Sequence, residues 1–177
     1  MNETRVLIIA TTRLGYDGIT SVLMNYYKNI DKSKIQFDFI PAAGIENWVN
    51  EEILTLGGKI YNVPSRKKNI ISYMLAIKKI IKNNKYKIVH MHGNSATLYL
   101  EILAAKLAKS KFRIAHCHNS TCTYKIIHYM LKKRLNKDIT HAFACSKLAG
   151  EWLYNRKFYI LNNGIDIEKF KYNEDIR

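Results

Sequence analysis

The stretch 88–120, IVHMHGNSATLYLEILAAKLAKSKFRIAHCHNS, decides the fold. It opens on a short apolar run, crosses a segment with apolar residues at helical spacing, and closes on a second short apolar run. Strand, helix and strand in so short a span read as a βαβ unit, since parallel strands need a crossover of a dozen or more residues. The strands carry His90-Met91-His92 and His116-Cys117-His118. Side chains alternate across a strand, so the imidazoles of each pair share one face while Met91 and Cys117 point to the other.

The same alternation extends outward from this unit. Strands are expected at 5–11, 35–41, 59–64, 86–92, 112–118, 140–146 and 158–163, and helices at 18–30, 47–58, 69–84, 95–108, about 124–136 and 147–155. This pattern predicts an α/β domain with a doubly wound, mostly parallel seven-stranded sheet and helices on both faces. The expected strand order, by position in the sequence, is third, second, first, fourth, fifth, sixth, seventh. Ligands bind such sheets beyond the carboxyl ends of the strands, where the order reverses. That rule brings together the loop TRLGYDG at 12–18, the strand end at His90–Gly93 and the strand end at His116–Asn119.

Composition narrows the function classes. The chain has 177 residues, 47% of them hydrophobic and only two of them proline, which fits one folded domain and excludes a disordered chain. The apolar run after MNETR is too short for a signal peptide, and no stretch has the roughly 18 apolar residues of a membrane span. Three cysteines without framework spacing point to a reducing compartment, so a cytoplasmic location is expected. Net charge is +15, and between Ile53 and Lys137 a single acid, Glu101, stands against eighteen Lys and Arg. Such a field attracts polyanions. Arg66-Lys67-Lys68 and Lys132-Lys133-Arg134 adjoin helices and suggest peripheral contact with an anionic membrane surface. Nucleic acid is not the expected partner, because the aromatic residues fall on core-facing positions and form no stacking platform.

The histidines admit two chemistries. Zinc takes three or four ligands, and two adjacent strands could supply His90, His92, His116 and His118. No Cys or acid completes the set in ligand spacing, so the reading is that no metal is bound, with a metal-dependent hydrolase on these four histidines as the alternative. His90 and His116 read as buried spacers hydrogen-bonded to backbone. His92 and His118, at the strand ends, stand where a ligand would sit. His128 and His141 read as structural or surface residues without a role in the site.

Gly15 and Gly18 lead into the first helix at G-x-x-G spacing. This is neither the dinucleotide fingerprint nor a G-x-x-x-x-G-K-[ST] phosphate loop, so no nicotinamide cofactor is expected. Glycine at a helix N-terminus lets backbone N–H groups approach an anion such as a diphosphate. Asp17 reads as the N-cap.

Four phrases in order along the chain resemble the N-terminal domain of a retaining GT-B glycosyltransferase of family 4, of the capsule and exopolysaccharide type. They are YDGITSVLMNYY (16–27), the histidine-bearing stretch 88–120, AFACSKLAGEWLY (142–154) and ILNNGIDIEKF (160–170). The resemblance implies a nucleotide-sugar donor, a saccharide or lipid-linked acceptor, retention of configuration and no cofactor. It implies that His118 is the active-site histidine and that Gly18 lies near the donor diphosphate; Asp17 stands where the family has its first glycine. Donor and substrate contacts are accordingly assigned to Gly15, Gly18, His92 and Asn119. Asn163 and Gly164 match the linker signature, and Ser146 matches a serine expected to cap a helix. The implied organisation is an acceptor-side domain over 1–163, the start of an interdomain linker over 164–177, and a nucleotide-sugar-binding domain that is absent. The isolated chain is then expected to be inactive, cytoplasmic, and peripheral on the inner membrane face.

Overall fold

A computed structural model of the chain describes residues 3–165 and Ile167. Six strands form one sheet: β1 (Thr4–Ala10), β2 (Ile35–Pro41), β3 (Ile88–Gly93), β4 (Phe112–Cys117), β5 (His141–Ala144) and β6 (Tyr159–Ile160). They lie in the order β2-β1-β3-β4-β5-β6, and every neighbouring pair is parallel. The order reverses between β1 and β3, as expected.

Helices flank both faces, and β1 shows why. It is apolar at nearly every position, as a strand buried on both sides must be. Leu7 and Ile9 enter a core with Tyr73 and Ile77 of α3 (Ile70–Asn83), Ile102 of α4 (Tyr99–Leu107), Leu135 of α5 (Lys125–Asp138) and Leu153 of α6 (Lys147–Leu153). Val6, Ile8 and Ala10 enter a second core with Ile19, Leu23 and Tyr27 of α1 (Gly18–Asn29) and Val49 and Ile53 of α2 (Asn47–Thr55).

Local chemistry sets the helix boundaries. Asp17 caps α1, accepting from the N–H groups of Ile19 and Thr20, and Ser146 caps α6 through the N–H of Ala149. Past the end of α2, Gly57 adopts φ +85°, the left-handed conformation that closes many helices. The helix expected at 95–108 divides into a 3-10 turn, Ala96–Leu98, and α4. His128 joins the turn to α5 by accepting the Ala96 N–H through Nδ1 at 3.2 Å, which makes it structural as expected.

The seventh strand is not formed. The segment expected as a strand at 59–64 does lie outside β2, but it pairs only as an isolated bridge between Phe39 and Ile60. The cause is Asp38, whose fully buried carboxylate accepts from Arg5 Nε at 2.7 Å, Arg5 Nη2 at 2.5 Å, the Lys59 N–H at 2.7 Å and the Tyr86 hydroxyl. This hub draws Lys59 inward. Tyr61 then turns toward Tyr86 and Asn84, and Pro64 has no N–H to extend a ladder. The last strand is also shorter than expected, two residues against 158–163. Of the linker expected at 164–177, only Gly164, Ile165 and Ile167 fall within the described residues.

Removing one partner of a buried ion pair leaves the other uncompensated. Asp38→Ala is expected to lower the urea unfolding free energy by about 3 kcal/mol. Arg5→Leu added to it is expected to recover part of that loss. A loss well under ~1 kcal/mol would show that the hub does not hold this edge of the sheet.

Candidate active site

The carboxyl ends of β1, β3 and β4 meet where the strand order reverses, and a cavity of about 360 Å³ lies there. Thr12, Arg13, Asp17, Gly18 and Ile19 line it from the β1–α1 side, Asn94, His118 and Asn119 from the ends of β3 and β4, and Asn163 from the segment after β6. Four expected site residues, Gly18, His118, Asn119 and Asn163, are thus brought together. Gly15, His92 and Gly164 are not among the lining residues. Gly15 donates its N–H to Thr20 Oγ1 at 2.9 Å, and His92 is buried behind His118. The Gly164 carbonyl accepts from Asn25 Nδ2 of α1 at 2.9 Å, while the Asn162 carbonyl accepts from the Tyr26 hydroxyl at 2.6 Å.

Sheet register builds the imidazole cluster. His92 of β3 pairs with His116 of β4, so both strands point their histidines to the face of Ile8 and Ala10. Ring centroids are 4.1 Å apart for His90–His92, 5.0 Å for His92–His116 and 4.1 Å for His116–His118. His92 Nδ1 and His118 Nε2 lie at hydrogen-bond distance, 2.9 Å. His92 Nε2 is buried without a partner. A buried N–H without an acceptor is less tolerable than a bare lone pair, so the proton sits on His92 Nδ1 and is donated to His118 Nε2. His118 then carries its own proton on Nδ1.

Burial keeps these rings neutral. Desolvation pushes His118 down to about 4 against an ordinary value of 6.5, with the charge of Asp17 opposing the shift. His90 is pushed down to about 3 and His116 to about 2, again chiefly by burial. His92 lies well below its ordinary value for the same reason. At neutral pH the cluster therefore offers hydrogen bonds and lone pairs, not positive charge. One expectation is corrected here. His90 and His116 do not both hydrogen-bond to backbone: His116 Nδ1 and Nε2 and His90 Nε2 are buried without partners. The two rings stack on one another and meet Phe143 edge to face instead. Nitrogens of His90, His92 and His116 all lie within 4.8 Å of one another, an arrangement able to hold a metal ion.

The loop side of the cavity is shaped by Asp17. Its Oδ1 accepts from Ile19 N at 2.8 Å and Thr20 N at 3.1 Å, and Oδ2 accepts from Thr20 Oγ1 at 2.7 Å. The first free N–H groups of α1 are thus occupied by its own cap. A Cβ placed on Gly18 would meet nothing within 4 Å, so no packing within the described residues requires glycine there. Sequence reasoning brought Thr12 to the site only as the first residue of the loop 12–18, and missed Asn94. Among the described residues, Thr12 Oγ1 and Asn94 Oδ1 are buried without partners beside the cavity. Only their positions just past strand ends could have marked them, since neither residue type signals chemistry.

Acid should unfold the chain early. Each folded pKa lies below 6.5, so the unfolded chain binds more protons as pH falls, and the stability present above that value is lost. Each such histidine contributes up to ~1.4 kcal/mol per pH unit. An acid titration followed by circular dichroism is expected to show unfolding centred near about pH 5. His116→Gln is expected to move that midpoint to lower pH. A midpoint below about pH 3 would show that the rings protonate in the folded state without penalty.

Known proteins share this fold. The profile of Glycosyltransferase Family 4 matches residues 16–169. The chain is 31% identical over 183 aligned positions to "Putative glycosyltransferase EpsF" of Bacillus subtilis (strain 168), an alignment covering 96% of this chain and 47% of that protein. The fold is similar to that of MurG from Acinetobacter baumannii, with a TM-score of 0.65, 13% identity, and coverage of 95% of this chain and 47% of that one. It is also similar to a UDP complex of MnaA from S. aureus, with a TM-score of 0.55, 15% identity, and coverage of 97% and 43%. The chain therefore spans about half the length of the relatives it matches. With a matching profile over most of its length and its site at the sheet's switch point, this chain belongs to glycosyltransferase family 4.

Proposed function

We propose that this chain is the acceptor-side half of a glycosyltransferase. It moves a sugar, with retention, from a nucleotide-sugar donor to a saccharide or lipid-linked acceptor in surface polysaccharide synthesis. The observation that carries the reading is the cavity where Gly18, His118, Asn119 and Asn163 converge, bordered by unpartnered polar atoms of Thr12 and Asn94. A uridine nucleotide sugar is the first donor to test, since three proteins of this fold are described with UDP or UDP-GlcNAc bound.

The geometry supports the following roles. A neutral His118 donates a hydrogen bond to a sugar or acceptor oxygen, and His92 behind it fixes the ring and its tautomer. Front-face attack lets the departing diphosphate take the acceptor proton, so no residue of this chain has to act as the general base. Stabilising that leaving group needs positive charge or N–H donors. Here α1 supplies few, because Asp17 occupies two of them. The leaving-group site thus falls mostly to the other half of the enzyme.

A second reading has one observation in its favour, the three histidine nitrogens within 4.8 Å. Metal analysis of untagged protein by elemental mass spectrometry separates the two. One zinc per chain would make His90, His92 and His116 a metal centre and favour hydrolysis.

Three outcomes are expected. The 177-residue chain alone turns over no UDP-sugar, whereas fusion beyond Gly164 to the second half of a relative restores transfer; robust turnover by the chain alone would refute the half-enzyme reading. In such a fusion, His118→Ala lowers kcat by about a hundredfold in protein that circular dichroism shows to be folded, the scale expected for losing one positioned donor. Asp17→Gly, which frees the Ile19 and Thr20 N–H groups, is expected to tighten UDP binding in a calorimetric titration; weaker binding would place the diphosphate elsewhere.

A further inference from the structure

Two aromatic rings stand open beside the cavity. Tyr16, in the loop between β1 and α1, is 89% exposed, the highest value for any large hydrophobic side chain among the described residues. Trp48, on the first turn of α2, is 38% exposed. Their ring centroids lie 5.5 Å apart, with the planes tilted by 40°. Arg13 and Asp17, on either side of Tyr16 in the chain, both line the cavity with His118. The rings therefore adjoin the site, and no role assigned to the site above uses them.

The backbone beneath them is held. Past the strand ends, Leu14 donates its N–H to the Gly44 carbonyl at 3.0 Å, and its own carbonyl accepts from the Glu46 N–H at 2.9 Å. This bridge between Leu14 and Ile45 carries the parallel pairing of β1 and β2 into the two loops. Leu14 itself is buried in the core with Val49 and Ile53 of α2. A Cβ on Gly15 would come within 2.8 Å of Glu46 Cγ, so glycine lets one loop close on the other. Arg13 Nε donates to Glu46 Oε1 at 2.9 Å, and both side chains stay partly open to solvent. On the other side of Tyr16, Asp17 is fixed as the cap of α1. Rings carried on so fixed a backbone lose little freedom when a partner arrives. Packing does not account for them, since Tyr16 buries almost none of its surface.

The chemistry of the surface selects its occupant. A pyranose chair has faces of C–H groups and a girdle of hydroxyls. Aromatic faces are electronegative and attract C–H groups, while charged side chains beside them bond hydroxyls. Here the two rings supply the faces, and Arg13 and Glu46 supply donors and a carboxylate next to them in the chain. The tilt suits a chair better than a flat base: a planar ring can lie on one face only, whereas puckered C–H groups reach both. Charge points the same way. The Arg13–Glu46 pair is neutral overall and Asp17 adjoins it, so an anionic nucleotide gains no attraction here even on a +15 chain. We infer that Tyr16 and Trp48 form an outer sugar-binding subsite, on which one pyranose ring of the acceptor stacks while its terminal sugar enters the cavity beside His118. The acceptor is thereby an oligosaccharide and not a single sugar. The stack aligns the acceptor and takes no part in the chemistry. Its purpose rests on the transferase reading, but its test needs no donor and no turnover.

The test is saturation-transfer NMR of the 177-residue chain with cellotetraose, whose equatorial hydroxyls leave the ring faces bare, and with glucose as the single sugar. Transfer to the axial C–H protons of cellotetraose is expected, with weaker binding of glucose, which cannot reach the rings and the cavity together. Tyr16→Ala and Trp48→Ala are each expected to weaken cellotetraose binding about tenfold, the scale of one lost aromatic contact, while the circular dichroism spectrum stays unchanged. Tyr16→Phe keeps the ring face and is expected to bind as the parent chain does, which recognition through the hydroxyl would not allow. Three results would overturn the inference. One is the absence of transfer from the parent chain to cellotetraose. Another is transfer that survives Tyr16→Ala combined with Trp48→Ala. The third is uridine monophosphate displacing the sugar and losing its own binding in both alanine variants, which makes the rings a platform for a base. Sugar binding that meets these expectations beside a fused enzyme that transfers nothing would uphold the subsite and refute the transferase reading.

Discussion

The site depends on one register. His92 lies opposite His116 because β3 and β4 pair in parallel with Ile88 against Phe112 and Gly93 against Cys117. Sheet burial holds that alignment. Val89, Met91, Ala115 and Cys117 fill the core beneath α3 and α4, and a slip of one residue would drive imidazoles into that apolar layer. The histidines gather because their apolar neighbours have nowhere else to go.

What gathers is unusual in its polarity. Four rings on adjacent strands share one hydrogen bond between His92 and His118, and several of their nitrogens find no partner. Each unpartnered buried polar group costs on the order of 1–3 kcal/mol, so the arrangement is not explained by stability. Neutral and tightly packed, the rings hold His118 in one orientation at the cavity wall. Positioning is a role that a group with a pKa near 4 can fill at neutral pH, and shuttling a proton from its charged form is not.

Much of this was legible in the sequence, for definite reasons. β1 and the unit from β3 to β4 declare themselves because continuous apolar runs bounded by helical periodicity have few other solutions. From their order alone the switch point follows, and with it the meeting of Gly18, His118 and Asn119; Asn163, expected as a linker residue, joins them at the cavity. Pattern could not reveal Asp38. A lone acid in IQFDFIP reads as one polar residue in a strand, yet its four donors come from Arg5, Lys59 and Tyr86, far apart in the chain. That nonlocal hub replaces a seventh strand with a bridge. The significance of Thr12 and Asn94 stayed hidden because it lies in what fails to bond them.

The segment after β6 is tied to α1, not merely laid across it. The Asn25 side chain and the Tyr26 hydroxyl hold the carbonyls of Gly164 and Asn162. Those anchors sit about 10 Å along the same helix from Gly18 at its first turn. A pull on the backbone at Gly164 is therefore delivered along the axis of α1 to the wall of the cavity. The helix works as a short rigid rod, with the departing chain fastened near one end and the cavity-lining Gly18 at the other.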